Sequence, residues 1–174
     1  MNVLIIYGTT EGQTHKIAVF LKDEIENLRH QAFLFDANGI PPPPDGYDLV
    51  LIGASVHMHK YQPAVLHYVK MHVAALNKIR SGFFSVSMAA ASEDDESKEE
   101  LEEVTSGFLH ETGWYPVHIE QAAGALLYTH YDFFKRLVMR LISKKHGRST
   151  DTSGDHEYTD WAKLKVFLEN MLKQ

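Results

Sequence analysis

Short apolar runs alternate along the chain with longer stretches whose apolar residues return every three or four positions. Val3 to Tyr7 is an apolar, β-forming run without polar alternation, which predicts a strand buried on both faces. From Gln13 to Arg29, Ile17, Phe20, Leu21, Ile25 and Leu28 recur at helical spacing. Gln31 to Asp36 reads as a second strand and Asp48 to Ala54 as a third. Between them, Ile40 to Gly46 holds four consecutive prolines, a stiff surface connector that is neither helix nor inner strand. Gln62 to Ile79 is a helix with Pro63 tolerated in its first turn, and Gly82 to Met88 a fourth strand. A helix from Asp95 to Glu111 and a strand from Pro116 to Ala122 follow. Asp160 to Leu172 closes the chain as a helix, with Trp161, Leu164, Phe167, Leu168 and Leu172 inward and Thr159 or Asp160 as its cap. Strand and helix patterns alternate throughout, so the fold class is α/β, one domain built of βαβ units around a doubly wound parallel sheet.

The junction of the first strand and helix carries the candidate chemistry. Gly8 to Thr14 is almost entirely small and hydroxyl residues. At the start of a helix the backbone N–H groups lack partners and the dipole is positive, so such a loop suits a phosphate. Thr9, Thr10 and Thr14 offer hydroxyls, and Gly12 admits a close approach of the backbone. No lysine follows the glycine, and no G-x-G-x-x-G is present, so both common nucleotide loops are absent. A terminal phosphomonoester held by neutral donors fits; an ordinary turn with threonine capping is the alternative. In doubly wound sheets ligands lie at the carboxyl ends of the strands, beside the switch in strand order. The loops there, 54–61, 87–92 and 123–128, are small or aromatic, as a flat ring sliding between backbone segments requires.

GTTEGQT after an N-terminal strand resembles the phosphate loop of flavodoxins, which hold FMN. The likeness extends further. IGASVHMHKYQPAV, FFSVSMAA, AGALLYTHYDFFKRLVMRLISKK and the TDTS and EYTDW pieces are similar, in the same order, to the menaquinone-dependent protoporphyrinogen oxidase family. The resemblance implies a flavodoxin-like, five-stranded sheet of order 2-1-3-4-5 and an FMN-dependent oxidoreductase of haem biosynthesis that passes electrons to a membrane quinone. It implies that Thr9, Thr10, Glu11, Gly12, Gln13 and Thr14 surround the FMN phosphate. The ring would sit among Ala54, Ser55, Val56, His57 and Tyr61, then Ser87, Met88, Ala89 and Ala90, then Gly124, Ala125, Leu126 and Tyr128. Tyr61 and Tyr128 are the candidates to stack on it. No acid–base dyad or nucleophile constellation stands out, so no catalytic side chain is assigned. The competing reading is a flavodoxin-like electron carrier without a substrate of its own.

Composition narrows the partners. A net charge of −6 argues against general nucleic-acid binding, and the absence of cysteine removes disulfides and thiolate chemistry. No apolar run approaches a membrane span and the N-terminus lacks a signal-peptide pattern, so the expectation is a cytoplasmic protein. His57 and His59 lack a third ligand nearby, and no metal is expected. The acidic run Glu93 to Glu103 reads as a solvated helix start or a docking face for a basic partner. The stretch 126–158 reads as an excursion from the domain. Within it, residues 131–145 predict a helix with Phe133, Phe134, Leu137, Val138, Leu141 and Ile142 on one face and Arg136, Arg140 and Lys144 beside it. Such a helix either packs on the domain or lies on an anionic membrane surface.

Overall fold

The computed structural model describes residues 1–92, 94–126 and 156–173. Five strands form one parallel sheet: β1 (Asn2–Gly8), β2 (Gln31–Asp36), β3 (Leu49–Ser55), β4 (Arg80–Ser87) and β5 (His118–Ala123). Their order is β2-β1-β3-β4-β5, as the resemblance implied. Helices α1 (Gln13–Asn27), α2 (Pro63–Leu76), α3 (Asp95–Thr112) and α4 (Trp161–Leu172) cover both faces. A two-stranded antiparallel ribbon, β6 (Ala125–Leu126) with β7 (His156–Glu157), continues from β5. The predicted helix over 131–145, and most of the 126–158 excursion, lie outside the described residues.

Alternation along each strand divides the interior into two cores. Val3 and Ile5 of β1 face α1 and α4 and meet Ile17, Leu21, Leu164 and Phe167. Leu4 and Ile6 point the other way, toward α2 and α3, and join Val65, Val69, Phe83, Phe108 and Trp114. A strand sandwiched in this way has no solvent face, which is why β1 and β3 read as continuous apolar runs. On the α2–α3 side one buried polar chain is paired: the Trp114 indole N–H donates to Ser81 Oγ at 2.9 Å, and Ser81 Oγ donates to the Leu76 carbonyl at 3.2 Å.

Some predicted boundaries shift for physical reasons. Helix α1 ends at Asn27 because the chain must turn back to β2, and Arg29 takes a left-handed φ of 63° to do so. Leu28, expected on the apolar face, is therefore 50% exposed. At the last helix Asp160 is the cap, its Oδ1 accepting the Lys163 N–H at 3.0 Å, while Thr159 serves elsewhere.

Candidate functional site

The strand order reverses between β1 and β3, and a solvent-open depression of about 430 Å³ lies there at the carboxyl ends of β1, β3, β4 and β5. It is lined by Thr9, Thr10, Glu11, Gln13 and Thr14 from the first loop, then Ser55, Val56 and His57, then Val86, Ser87 and Met88, and Gly124. Four loops that are distant in sequence thus converge as strand topology dictates. Among the described residues, no Lys or Arg lines the depression.

The first loop is shaped to present donors. Gly12 occupies the position before α1 with φ 93°, a conformation that costs a side-chain-bearing residue but not glycine. No side chain caps α1. Helices usually satisfy these N–H groups with a capping side chain, so an uncapped end facing a cavity is suited to an anion. Thr9 Oγ1 accepts the Gly12 N–H at 2.9 Å, and Thr10 Oγ1 accepts the Gln62 carboxamide at 3.0 Å. Each hydroxyl therefore has its oxygen engaged internally and its hydrogen available to a ligand. Thr14 is 0% exposed, yet its Oγ1 has no hydrogen-bond partner among the described residues. A buried hydroxyl without a partner on the wall of a cavity needs explanation, and a ligand oxygen supplies one.

The second wall is braced by Gln62. Its Oε1 accepts the Ser55 N–H at 3.1 Å, and its Nε2 donates to Ser55 Oγ as well as to Thr10. Gly8 makes room for this brace, since a Cβ there would stand 2.5 Å from Val65 Cγ2 and 3.2 Å from Gln62. His57 and Lys60 then exchange backbone hydrogen bonds at 2.8 and 3.1 Å around a tight turn. The tip residues Met58 and His59 both have positive φ, 50° and 60°, which glycine or asparagine would adopt more readily. His59 Nδ1 meets Glu100 Oε1 of α3 at 2.6 Å, an exposed pair worth little by itself. The third wall is fixed by backbone: Val56 N–H donates to Val86 O at 2.8 Å and Gly124 N–H to Ser87 O at 3.0 Å, while Ser87 Oγ accepts the Ala90 N–H.

Five of the expected site residues do not line the depression: Gly12, Ala54, Tyr61, Ala89 and Ala90. Gly12 and the short turn containing Ala89 and Ala90 support residues that do. Ala54 is fully buried on the α2 side of the sheet. Tyr61 is a correction. Its ring is in the core at edge-on distances of 5.2 Å from Phe83 and 4.9 Å from Phe108, not at the ligand surface. Its hydroxyl donates to Ser85 Oγ and shares a hydrogen bond with Thr105 Oγ1, each at 2.9 Å. Burial raises its pKa above the ordinary value, and those two hydrogen bonds oppose the rise. The tight turn at Met58–His59 reverses the chain and sends the tyrosine inward. Ala125 and Leu126 continue as the backbone of β6, and Tyr128 lies outside the described residues. Val86 and the brace Gln62 were missed. Val86 follows the same strand-end rule as Ser87, and Gln62 stands just before the helix-starting Pro63.

The profile of a family described as flavodoxin domain matches residues 4–153. Protoporphyrinogen IX dehydrogenase (quinone) of Escherichia coli strain K12 is 34% identical over 172 residues, covering 98% of this chain and 94% of that one. The enzyme of the same name from Leishmania major is 34% identical over 171 residues, 96% of this chain and 73% of its own. The chain belongs to this family. Among solved structures, oxidised flavodoxin 1 from Bacillus cereus superposes with a TM-score of 0.51 at 16% identity, over 85% of this chain and 100% of that one. An NADH:FMN oxidoreductase in its apo form gives a TM-score of 0.55 at 10% identity, over 99% and 91%. These two likenesses confirm the flavodoxin fold of the family member described here. No helix among the described residues is long and apolar enough to cross a membrane.

Proposed function

We propose that this chain is an FMN-dependent protoporphyrinogen IX dehydrogenase with a quinone as acceptor. The observation that carries the cofactor reading is the first loop: an uncapped helix end, two threonine hydroxyls with hydrogens to donate, and the partnerless buried Thr14 hydroxyl. One loop of this kind holds one phosphate group, which favours FMN over a dinucleotide. The substrate and acceptor follow from membership in a family whose curated relatives carry that activity in their name. When bound, the flavin would supply two-electron oxidation, and the protein's part is to bind, orient and tune it. Ser55, Val56, His57, Ser87, Met88 and Gly124 line the same depression as the first loop, which supports them as the residues that would surround the ring. Protoporphyrinogen loses six electrons and six protons on becoming protoporphyrin, so three two-electron rounds, each ending at the acceptor, complete the reaction. A depression open to solvent suits a large tetrapyrrole that must come and go between rounds.

The basic, amphipathic sequence over 131–145 supports contact with an anionic membrane surface, where a quinone would be met. Flotation with anionic vesicles at low and high salt tests this. A second reading, an electron carrier, draws on the acids exposed along α3, which would suit a basic redox partner. Two measurements decide between the readings. Released cofactor should run as FMN on chromatography, and FAD would refute the single-phosphate reading. Anaerobic oxidation of protoporphyrinogen IX by the purified protein and a quinone alone supports the enzyme; turnover that needs a second protein supports the carrier.

A further inference from the structure

A helix end that binds an anion must be held at a fixed place relative to the rest of the ligand's wall, and the far end of the chain does this for α1. Gln13 Nε2 donates to Glu157 Oε1 and to Thr159 Oγ1, each at 2.8 Å. Glu157 Oε2 accepts from Lys16 Nζ at 2.7 Å. The same ammonium lies 5.5 Å from the centre of the Trp161 ring, which in turn packs on Phe20 at 4.9 Å. On the other side Thr159 Oγ1 donates to the Ala123 carbonyl at 2.8 Å, and Tyr158 N–H donates to the Gly124 carbonyl at 3.2 Å. Residues 157–161 therefore tie the first turns of α1 to the β5–β6 connection. Gln13 and Gly124, the two ends of that tie, both line the depression.

The bonding has a chemical consequence. Both N–H donors of the Gln13 carboxamide are directed at the clasp, so its side chain is held off the ligand and its contribution there is the backbone N–H. Lys16, one turn into the helix, is likewise drawn onto Glu157. We propose that Glu157 and Thr159 are positioning residues for the phosphate loop: they hold the N-terminus of α1 against the Gly124 wall, so that the donors for the phosphate and the surface for the ring keep one separation. This rests on the FMN reading above.

Riboflavin, which lacks the phosphate, provides the control. Flavin-free full-length protein is titrated with FMN and with riboflavin, following the quenching of flavin fluorescence. Glu157→Ala and Thr159→Val should each weaken FMN about three- to tenfold, the loss of one or two hydrogen bonds, and leave riboflavin unchanged. Thr159→Ser, which keeps the hydroxyl, should restore FMN binding. Glu157 is partly exposed, so its replacement leaves the core intact. Wild-type affinity for FMN in both variants would overturn the proposal, and so would equal losses for FMN and riboflavin, which mark a merely structural role. A wild-type protein that binds riboflavin as tightly as FMN would instead overturn the phosphate reading, and this inference with it.

Discussion

Thr14→Val separates the stability of the empty protein from its affinity for the cofactor, because the two should move in opposite directions. Valine has nearly the shape of threonine, so the packing of a fully buried side chain is kept and only the hydroxyl is lost. Without ligand that hydroxyl has no partner among the described residues. A buried polar group left unsatisfied costs about 1–3 kcal/mol, so its removal should stabilise the empty protein by about 1 kcal/mol after allowance for imperfect replacement. For a chain of this size that is a rise in Tm of about 2–4 °C. In the complex the same hydroxyl would donate to a charged phosphate oxygen, a bond worth about 1.5–3 kcal/mol. The dissociation constant for FMN should then rise by about 10- to 150-fold. Riboflavin binding should not change. Thermal melts of the flavin-free protein and fluorescence titrations with both flavins give the three numbers. A variant that binds FMN like the wild type, or whose empty form is less stable, would refute the assignment of Thr14 to the phosphate.

Three further outcomes follow from the geometry. Gly12→Ala places a Cβ at φ 93° with nothing within 4 Å to clash, so the cost is backbone alone, about 1–2 kcal/mol, and FMN binding measured by titration should weaken more than riboflavin binding. Tyr61→Phe removes the hydroxyl between Ser85 and Thr105 while keeping the ring packed; Tm should fall by about 2–4 °C with FMN affinity and flavin absorbance unchanged, whereas a shifted flavin spectrum would return Tyr61 to the ring site. The hydrogen bond from Lys16, with that from Gln13, holds the Glu157 carboxyl below its ordinary value of 4.5, although burial opposes the shift. Its contribution is present above that ordinary value and lost as pH falls through the lowered folded one. The ratio of Glu157→Gln to wild-type FMN dissociation constants should therefore be steady at neutral pH and move toward one in acid, and a ratio that grows on acidification would contradict the clasp.

The strands were legible because a parallel sheet covered on both faces leaves no polar alternation, and DLVLIGA has none. The loop proposed for the phosphate was legible as part of the depression because strand, hydroxyl-rich turn and helix start are contiguous, and Thr9, Thr10, Gln13 and Thr14 all line it. What failed was the direction of single side chains after a turn. Tyr61 sits in a loop at a strand end, where an aromatic ring looks like a ligand wall. Whether it faces out or in depends on the two left-handed residues at 58 and 59, and neither is a glycine that would announce the turn. The clasp was equally invisible, since Gln13 and Glu157 are 144 residues apart and meet only once β5 and α4 are in place. The bounds of α1 were misread because Leu28 keeps the apolar spacing after the backbone has already turned away.

The most direct test of the account is an anaerobic assay with three components: the purified, flavin-loaded protein, protoporphyrinogen IX and a menaquinone analogue. The proposed enzyme should give growth of protoporphyrin fluorescence with three quinones reduced per porphyrin formed, and lose turnover when the flavin is removed. Absence of porphyrin formation, while the bound flavin still cycles with artificial donors and acceptors, would contradict it and leave a flavodoxin-like carrier.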